Sequence, residues 1–259
     1  MIYPPISCYC STYGRPQRLV ENSIACFLAQ DYPGVKELVI LNDFVEQELI
    51  FDHPEVRIIN WPERIAPLGA KFNKNVELCR FNLLATWEDD DVFLPHRLKY
   101  SYERMKNGVF HTHDAWFERN EKDIISARNC FHSTHLMTRD LFDKVGGYPT
   151  EVDICSIDIT IMDKLRKLLG TYTNDTPEED RFYIYVWSCA QSYHGSGWGP
   201  SNLNISQSAA DIVQSQIKQG LVPTGKIYLE PKLRYNFQDY IPLKKNETII
   251  DLDKEQQNV

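Results

Sequence analysis

The sequence predicts an α/β fold with a Rossmann-like, mixed but mostly parallel sheet flanked by helices. Short apolar runs of strand length alternate with segments of helical spacing through residues 1–105, a pattern typical of a parallel sheet. Polar and acidic residues follow the ends of several of these runs. The chain has 259 residues, of which 42% are hydrophobic. That composition is globular and suffices for one large α/β domain.

The first strand–helix–strand unit spans residues 6–41. Ile6 to Ser11 is predicted as a strand, and the apolar residues of Arg18 to Gln30 recur at near-helical spacing. Tyr32-Pro33-Gly34 ends that helix. Lys36 to Leu41 is an apolar run of strand length. Since strands joined through a helix usually run parallel, this unit predicts the start of a parallel sheet.

Two further strand–helix pairs follow, and the second half of the chain is less regular. The pairs are strand Val56 to Asn60 with helix Gly69 to Arg80, and strand Leu83 to Trp87 with a helix from about His96 to Met105. Later predictions are a strand or hairpin at Val109 to Glu118, strands at Cys130 to Thr138 and Phe182 to Ala190, and helices at Arg139 to Val145, Ile157 to Leu169 and Ala209 to Gln219.

Composition excludes several classes of protein. The formal net charge of −8 argues against a broad basic surface for nucleic acid. No run approaches the roughly 20 apolar residues that a membrane span needs, and the N-terminus lacks the pattern of a signal peptide. The seven cysteines are irregularly spaced and include no CxxC pair. We therefore expect reduced thiols, a cytoplasmic location and no transmembrane anchor, so a membrane acceptor would require peripheral docking.

An acidic cluster, Glu88-Asp89-Asp90-Asp91, follows the strand predicted at Leu83 to Trp87. Adjacent carboxylates repel one another unless a cation or solvent screens them. Their oxygens are hard ligands suited to Mg²⁺ or Mn²⁺, and such an ion can stabilise a departing diphosphate. The alternative is a solvated acidic turn before a helix N-terminus. The preceding apolar strand and the following Pro95 favour the metal-binding interpretation.

Polar residues also follow the first two strands. Asp43 comes directly after the second strand, where a carboxylate can accept hydrogen bonds from a base N–H or from ribose hydroxyls. Thr12-Tyr13-Gly14-Arg15 follows the first strand at the same edge of the sheet. Ligands of open α/β sheets bind at that edge. The alternative for each of these residues is an ordinary turn.

Two residues of the second half could also take part in chemistry. Asp158 lies at the start of a predicted helix and could act as a general base toward a hydroxyl group, or simply stabilise the helix N-terminus. His194 lies in the glycine-rich loop Tyr193 to Pro200 and could be a metal ligand or a phosphate contact. The alternative for His194 is an exposed loop histidine.

Taken in order, these segments resemble glycosyltransferase family 2, whose fold is of the GT-A type. The resemblance runs from about Ile6 to Leu169. The segments that carry it are Ser11-Thr12-Tyr13-Gly14-Arg15-Pro16, Leu28-Ala29-Gln30-Asp31-Tyr32-Pro33, Asn42-Asp43, Leu68-Gly69-Ala70-Lys71-Phe72-Asn73, Glu88-Asp89-Asp90-Asp91-Val92-Phe93-Leu94-Pro95-His96-Arg97-Leu98 and Phe142-Asp143-Lys144-Val145-Gly146-Gly147-Tyr148. Each segment is unspecific by itself, but their order and spacing together are specific.

The resemblance implies an enzyme, a metal-dependent inverting glycosyltransferase of the hexosyltransferase type. It would move a sugar from a nucleotide-diphosphate sugar, with a UDP-sugar favoured, to a hydroxyl of a glycan or other acceptor. The implied nucleotide-binding residues are Thr12, Tyr13, Arg15, Asp43, Lys71, Asn73 and Asp89. Asp90 and Asp91 are the implied ligands of Mn²⁺ or Mg²⁺, with His194 as a candidate from its loop.

Asp158 falls on the position of the family's catalytic base. Three residues depart from the family pattern: Ile157 stands where a glutamate is usual, Gly14 replaces an asparagine, and Asn42 replaces an aspartate. The resemblance also implies one domain over residues 1–243, with a nucleotide-binding half at 1–105 and an acceptor-binding half at 106–243. Residues 244–259 are predicted as a polar tail.

Two other functions fit parts of the pattern. A nucleotidyltransferase also combines an α/β sheet with acidic metal ligands, but it would need a glycine-rich phosphate loop, and Ser11 to Arg18 contains only one glycine. A non-catalytic nucleotide-sugar or carbohydrate-binding module would explain Ile157 beside Asp158. The acidic residues Asp89, Asp90 and Asp91 argue against that module.

Overall fold

The structure is a computed structural model that describes residues 2–119, 123–151, 157–187, 209–233 and 250–251. Its centre is a six-stranded, mostly parallel sheet, as the sequence predicted. In spatial order the strands are β4 (Val56–Asn60), β2 (Lys36–Asn42), β1 (Ile6–Thr12), β5 (Leu83–Trp87), β10 (Leu136–Thr138) and β7 (Val109–Phe110). The first four run parallel, and β10 is antiparallel to both β5 and β7.

A second sheet of five strands and a two-stranded sheet complete the β-structure of the described residues. The five are β13 (Ile250–Asp251), β9 (Asp123–Arg128), β8 (Asp114–Arg119), β11 (Tyr183–Trp187) and β6 (Val92–Phe93). The pair is β12 (Gly225–Tyr228) with β3 (Gln47–Ile50). β6 directly follows the acidic cluster and pairs with β11, so the cluster lies where the chain passes from one sheet to the other.

Helices cover the central sheet on both faces. They are α1 (Gln17–Leu28), α2 (Leu68–Leu78), α3 (Arg97–Arg104), α4 (Arg139–Lys144) and α5 (Ile157–Leu169), while α6 (Ala209–Lys218) packs against Phe44 after β2. No helix in the described part of the chain is both long enough and apolar enough to cross a membrane.

Alternate residues of the central strands serve two hydrophobic cores. In β1, Cys8 and Cys10 pack with α1, α3 and the second sheet, while Tyr9 between them packs with α2, α4 and α5. All three are fully buried. Because both faces are covered, these strands are apolar almost throughout, which is the usual pattern of a buried parallel sheet.

The segment predicted as one strand over Cys130 to Thr138 is instead a 3₁₀ turn, His132–Thr134, followed by the short strand β10. The prediction failed because side chains make the hydrogen bonds that a neighbouring strand would otherwise make to this backbone. The Thr134 hydroxyl donates to the carbonyl oxygens of Thr112 and Phe131, and the ring of His135 contacts the carbonyl oxygen of His132. Local hydrogen bonds of this kind compete with strand pairing.

The 3₁₀ turn completes a cluster of four histidines, His111, His113, His132 and His135. The rings of His111 and His135 are stacked with centroids 4.3 Å apart, and both side chains are fully buried. Burial lowers the pKa of His135 to about 3 and that of His111 well below its usual value. These two rings therefore stay neutral in the folded protein at pH values where a free histidine gains a proton.

Acid should selectively destabilise this cluster. Below about pH 6.5 the unfolded chain gains a proton at His135 that the folded chain does not, so this stability is present above that pH and is lost as the pH falls. We expect the stability advantage of the wild type over His135→Gln to shrink by about 2 kcal/mol between pH 7 and pH 5. Urea unfolding of both proteins at each pH measures it, and a constant difference would contradict the assignment.

Candidate functional site

The candidate site lies at the carboxyl ends of β1, β2 and β5. β1 is the middle strand of the three, so the loops after all of them meet at one edge of the sheet. Thr12 is the last residue of β1, Asp43 directly follows β2, and the acidic cluster directly follows β5. The fold thus brings together the polar segments that the sequence placed at strand ends.

Arg15 joins the β1 loop to the acidic cluster. Its Nε lies 3.0 and 2.9 Å from the two carboxylate oxygens of Asp89, and one terminal nitrogen lies 2.9 Å from Asp90 Oδ2. All three residues are buried, with 7%, 2% and 6% of their surfaces exposed. A buried guanidinium that bridges two carboxylates offsets part of their repulsion and fixes their position.

Asp91 faces the second sheet. Its Oδ2 accepts a hydrogen bond of 2.6 Å from the Tyr183 hydroxyl, and its Oδ1 accepts one of 2.9 Å from the backbone N–H of Val186. Both partners belong to β11. Asp91 therefore anchors the acidic cluster to the second sheet.

The acidic cluster is electrostatically unfavourable by itself. Burial raises the pKa of Asp89, although the charge of Arg15 opposes this effect. Burial and then the charge of Asp90 raise the pKa of Asp91 well above its usual range, while the hydrogen bond from Tyr183 opposes them. A bound cation would lower the pKa of both Asp89 and Asp91, because a nearby positive charge favours the ionised carboxylate.

The donor set of the cluster fits a hard divalent cation that is only partly ligated by protein. No three His, Cys, Asp or Glu side chains converge on one metal position among residues 2–119, 123–151, 157–187, 209–233 and 250–251. Mg²⁺ in nucleotide sites commonly takes one or two carboxylates and completes its shell with phosphate and water oxygens. Buried carboxylates at a strand end suit that mode.

A buried ion pair joins Asp43, which follows β2, to Lys71 of α2. Lys71 Nζ lies 2.6 Å from Asp43 Oδ1 and donates to the carbonyl oxygen of Thr12 at 2.6 Å. Arg64 and the backbone N–H of Ile65 also bond the Asp43 carboxylate, each at 2.9 Å. Burial lowers the pKa of Lys71 to about 8, and the charge of Asp43 opposes this lowering. Asp43 and Lys71 thus tie the ends of β1 and β2 to α2.

Tyr13 and its neighbours form an aromatic wall beside this pair. The Arg64 guanidinium stacks over the Tyr13 ring at 3.6 Å, and the ring of Phe44 packs edge-on at 5.0 Å. Gly14 has φ +56°, and a Cβ there would lie 2.4 Å from a methyl group of Val213 in α6. The close approach of α6 therefore leaves no space for a side chain at position 14.

Asn73 of α2 holds the loop that contains Tyr148. Its amide group donates to the carbonyl oxygen of Tyr148 and accepts from the Tyr148 N–H, both at 2.9 Å. Gly69, one turn earlier in α2, has space for no side chain, because a Cβ would lie 1.8 Å from the carbonyl oxygen of Pro149. These contacts fix Tyr148 against α2, and a nucleotide contact by Asn73 stays a prediction.

Asp158 lies at the N-terminus of α5, where its Oδ1 accepts a hydrogen bond of 2.9 Å from the N–H of Ile159. Burial raises the pKa of Asp158, the charge of His132 lowers it and that of Glu88 raises it. The charge of Glu88, in the acidic cluster, and that of His132 thus both act on the Asp158 carboxylate. His194, the other predicted residue of the second half, lies outside the described residues.

His132 and Tyr148 are the site residues to which sequence reasoning gave no role, and both lie near Glu88 of the acidic cluster. The Ser133 hydroxyl donates to Glu88 Oε1 at 3.1 Å, and His132 Nε2 lies 2.5 Å from the Tyr148 hydroxyl. One signal was available. The stretch from His132 to His135 is too polar for a buried strand, and polar residues within an apolar segment often serve a site.

Comparison with known proteins identifies the fold. No protein-family model matches the chain. The chain is similar to TarS of S. aureus, with a TM-score of 0.51 and 13% identity over 71% of this chain and 37% of TarS. A structure of TarS residues 1–349 in complex with UDP-GlcNAc gives a TM-score of 0.51 and 14% identity over 71% of this chain and 58% of that one. This chain has a glycosyltransferase fold.

Sequence relatives agree with that fold. The O-antigen biosynthesis glycosyltransferase WbnJ of Escherichia coli is 26% identical over 157 residues, which are 52% of this chain and 62% of WbnJ. The uncharacterized glycosyltransferase MJ1057 of Methanocaldococcus jannaschii is 29% identical over 110 residues, which are 40% of this chain and 38% of MJ1057. The chain thus spans less than two thirds of the length of either relative. These similarities confirm the predicted resemblance to glycosyltransferases.

Removal of the Asp91 carboxylate should destabilise the folded protein. We expect Asp91→Ala to lower the free energy of unfolding by about 2–4 kcal/mol, because the buried Val186 N–H and Tyr183 hydroxyl would lose their acceptor. Asp163→Ala is the matched control, since Asp163 is half exposed and its salt bridge to Arg166 lies on the surface of its own helix. Urea unfolding measures both variants. Equal stability of the two would show that Asp91 does not anchor the cluster.

Proposed function

We propose that the protein is a glycosyltransferase that moves a sugar from a nucleotide-diphosphate sugar to an acceptor hydroxyl. The observation that carries the proposal is the buried Arg15–Asp89–Asp90 group beside the Asp43–Lys71 pair, at the carboxyl edge of a parallel sheet. In open α/β folds that edge binds nucleotides. The similarity to named glycosyltransferases supports the same function.

A uridine diphosphate sugar is the favoured donor. One TarS structure of the same fold holds UDP-GlcNAc. In this chain the Tyr13 ring and the Asp43 carboxylate supply a stacking face and an acceptor for a base N–H or a ribose hydroxyl. Arg64 covers the Tyr13 ring and contacts Asp43, so we propose that the nucleotide displaces Arg64 when it binds. Thr12, Arg15, Lys71 and Asp89 complete the proposed nucleotide contacts.

Asp90 is the proposed principal ligand of Mn²⁺ or Mg²⁺. Asp91 is the proposed second ligand, because each of its carboxylate oxygens accepts one hydrogen bond from β11 and has a second lone pair for the ion. When bound, the ion would neutralise charge on the departing diphosphate. Arg15 contributes positive charge at the same place, and it is held there by its contacts to Asp89 and Asp90.

Asp158 is the proposed base. Its carboxylate takes the proton of the acceptor hydroxyl while that oxygen bonds to the anomeric carbon and the bond to the diphosphate oxygen breaks. Attack from the side opposite the diphosphate inverts the anomeric carbon. Partial burial raises the pKa of Asp158, which makes its carboxylate a better proton acceptor, provided that the group stays ionised.

Loss of the Asp90 charge should abolish metal-dependent nucleotide binding. The experiment is a thermal-shift panel of uridine, guanosine, thymidine, cytidine and adenosine diphosphates and their sugars, with and without Mn²⁺. We expect a Mn²⁺-dependent rise in melting temperature with one nucleotide class, because a ligand of the native state stabilises it. Asp90→Asn should melt normally without ligand and lose that rise. Nucleotide stabilisation that persists in the variant would exclude Asp90 as the ligand.

Asp158→Asn should separate chemistry from binding. Because the amide cannot accept the hydroxyl proton, we expect the nucleotide-dependent thermal shift to remain and release of nucleoside diphosphate from the donor to fall at least about 100-fold. Asp163→Asn, on the same helix, is the control and should keep full activity. Release at a near wild-type rate by Asp158→Asn would show that another group is the base. Absence of any nucleotide effect on the wild type would favour a non-catalytic binding module.

A further inference from the structure

Arg15 is a buried cation whose contacts to Asp89 and Asp90 differ. Its Nε lies 3.0 and 2.9 Å from the two oxygens of Asp89, whereas one terminal nitrogen lies 2.9 Å from Oδ2 of Asp90. Only 7% of the Arg15 surface is exposed, so little water screens these charges. The Asp89 contact can therefore orient the arginine while the Asp90 contact is exchanged for another.

Other residues hold the backbone on both sides of this pairing. The carbonyl oxygen of Arg15 accepts a hydrogen bond of 3.0 Å from the side-chain amide of Gln47. The Ser23 hydroxyl, in α1, donates to the carbonyl oxygen of Glu88 at 2.9 Å, and the Trp87 indole donates to the carbonyl oxygen of Ser23 at 3.2 Å. Because these contacts position the β1 loop and the acidic cluster, only the Arg15 side chain has to move when its partner changes.

A divalent cation on Asp90 would meet the positive charge of Arg15. The arginine contact does not use up the ligand, because each carboxylate oxygen has two lone pairs. What opposes the ion is repulsion between like charges in a site from which water is nearly excluded. A nucleoside diphosphate changes this balance, because its phosphate oxygens can bind a guanidinium and a divalent cation together.

We propose that Arg15 makes binding of the divalent cation conditional on the nucleoside diphosphate. This inference rests on the proposed function, in which Asp90 holds the ion. Without nucleotide, Arg15 stays on Asp89 and Asp90 and lowers the affinity of the site for a free ion. With nucleotide, the guanidinium keeps Asp89, leaves Asp90 and binds a phosphate oxygen, so the ion and the nucleotide bind together. Arg15 is thus the internal counter-ion of the nucleotide-free site.

Arg15→Gln tests this coupling, and Arg18→Gln is its control, since Arg18 is an exposed cation on the first turn of α1. EPR spectroscopy measures free Mn²⁺ in each titration. Without nucleotide, we expect Arg15→Gln to bind Mn²⁺ about tenfold more tightly than the wild type and Arg18→Gln to match the wild type. A purely structural role of Arg15 predicts the opposite sign, because a disturbed cluster binds Mn²⁺ less well. Equal or weaker Mn²⁺ binding by Arg15→Gln would overturn the proposal.

The same titrations with UDP measure the coupling between the two ligands, after subtraction of the Mn²⁺–UDP complex in solution. In the wild type we expect UDP to raise the Mn²⁺ affinity about 100-fold, and Mn²⁺ must raise the UDP affinity by the same factor. In Arg15→Gln this factor should fall at least about tenfold, and an unchanged factor would also overturn the proposal. Failure of the wild type to bind UDP would instead count against the proposed function, whereas the nucleotide-free comparison needs no UDP.

Thermal unfolding of Arg15→Gln provides a readout that holds even if the variant is unstable. The substitution leaves two buried carboxylates without the arginine charge, and Mn²⁺ can replace that charge. We therefore expect Mn²⁺ to raise the melting temperature of Arg15→Gln more than that of the wild type. If the variant does not fold alone, it should refold with Mn²⁺ but not with KCl at equal ionic strength. No refolding with Mn²⁺ would overturn the proposal.

Discussion

Burial of negative charge at the end of β5 is the constraint on which the site depends. Three consecutive aspartates are nearly inaccessible to water, and two different sets of partners hold them. Asp89 and Asp90 share Arg15 from the β1 loop, whereas Asp91 bonds to β11 in the second sheet. The segment that is costly to bury is therefore the one that joins the two sheets. Its geometry cannot change without disturbing both.

The central sheet and the location of the site could be predicted because both depend on local patterns. Strand-length runs buried on both faces mark β1, β2 and β5, and polar residues at or directly after the end of each run lie at the carboxyl edge of a parallel sheet. Asp43, Arg15 and the aspartates of the cluster come together for that reason.

The remaining parts of the site depend on contacts between residues that are distant in sequence. Nothing near Asp43 indicates that Lys71 and Arg64 would meet it, and nothing near His132 indicates Tyr148 or Glu88 as partners. The short strands β3 and β12 pair across most of the chain length. The role of Asn73 could not be predicted from the sequence for the same reason. Its amide bonds the backbone of Tyr148, and the sequence does not distinguish that contact from a contact to a ligand.

The contact between Gly14 and Val213 links two positions that are far apart in the chain. Since a Cβ at position 14 would overlap a Val213 methyl group, a larger residue at 14 can be accommodated only if residue 213 is smaller or α6 moves away. Val213 is fully buried and packs with Phe44 beside the predicted base-binding wall. Positions 14 and 213 are therefore expected to covary in evolution. Redesign of the nucleotide preference at the β1 loop would have to alter both together.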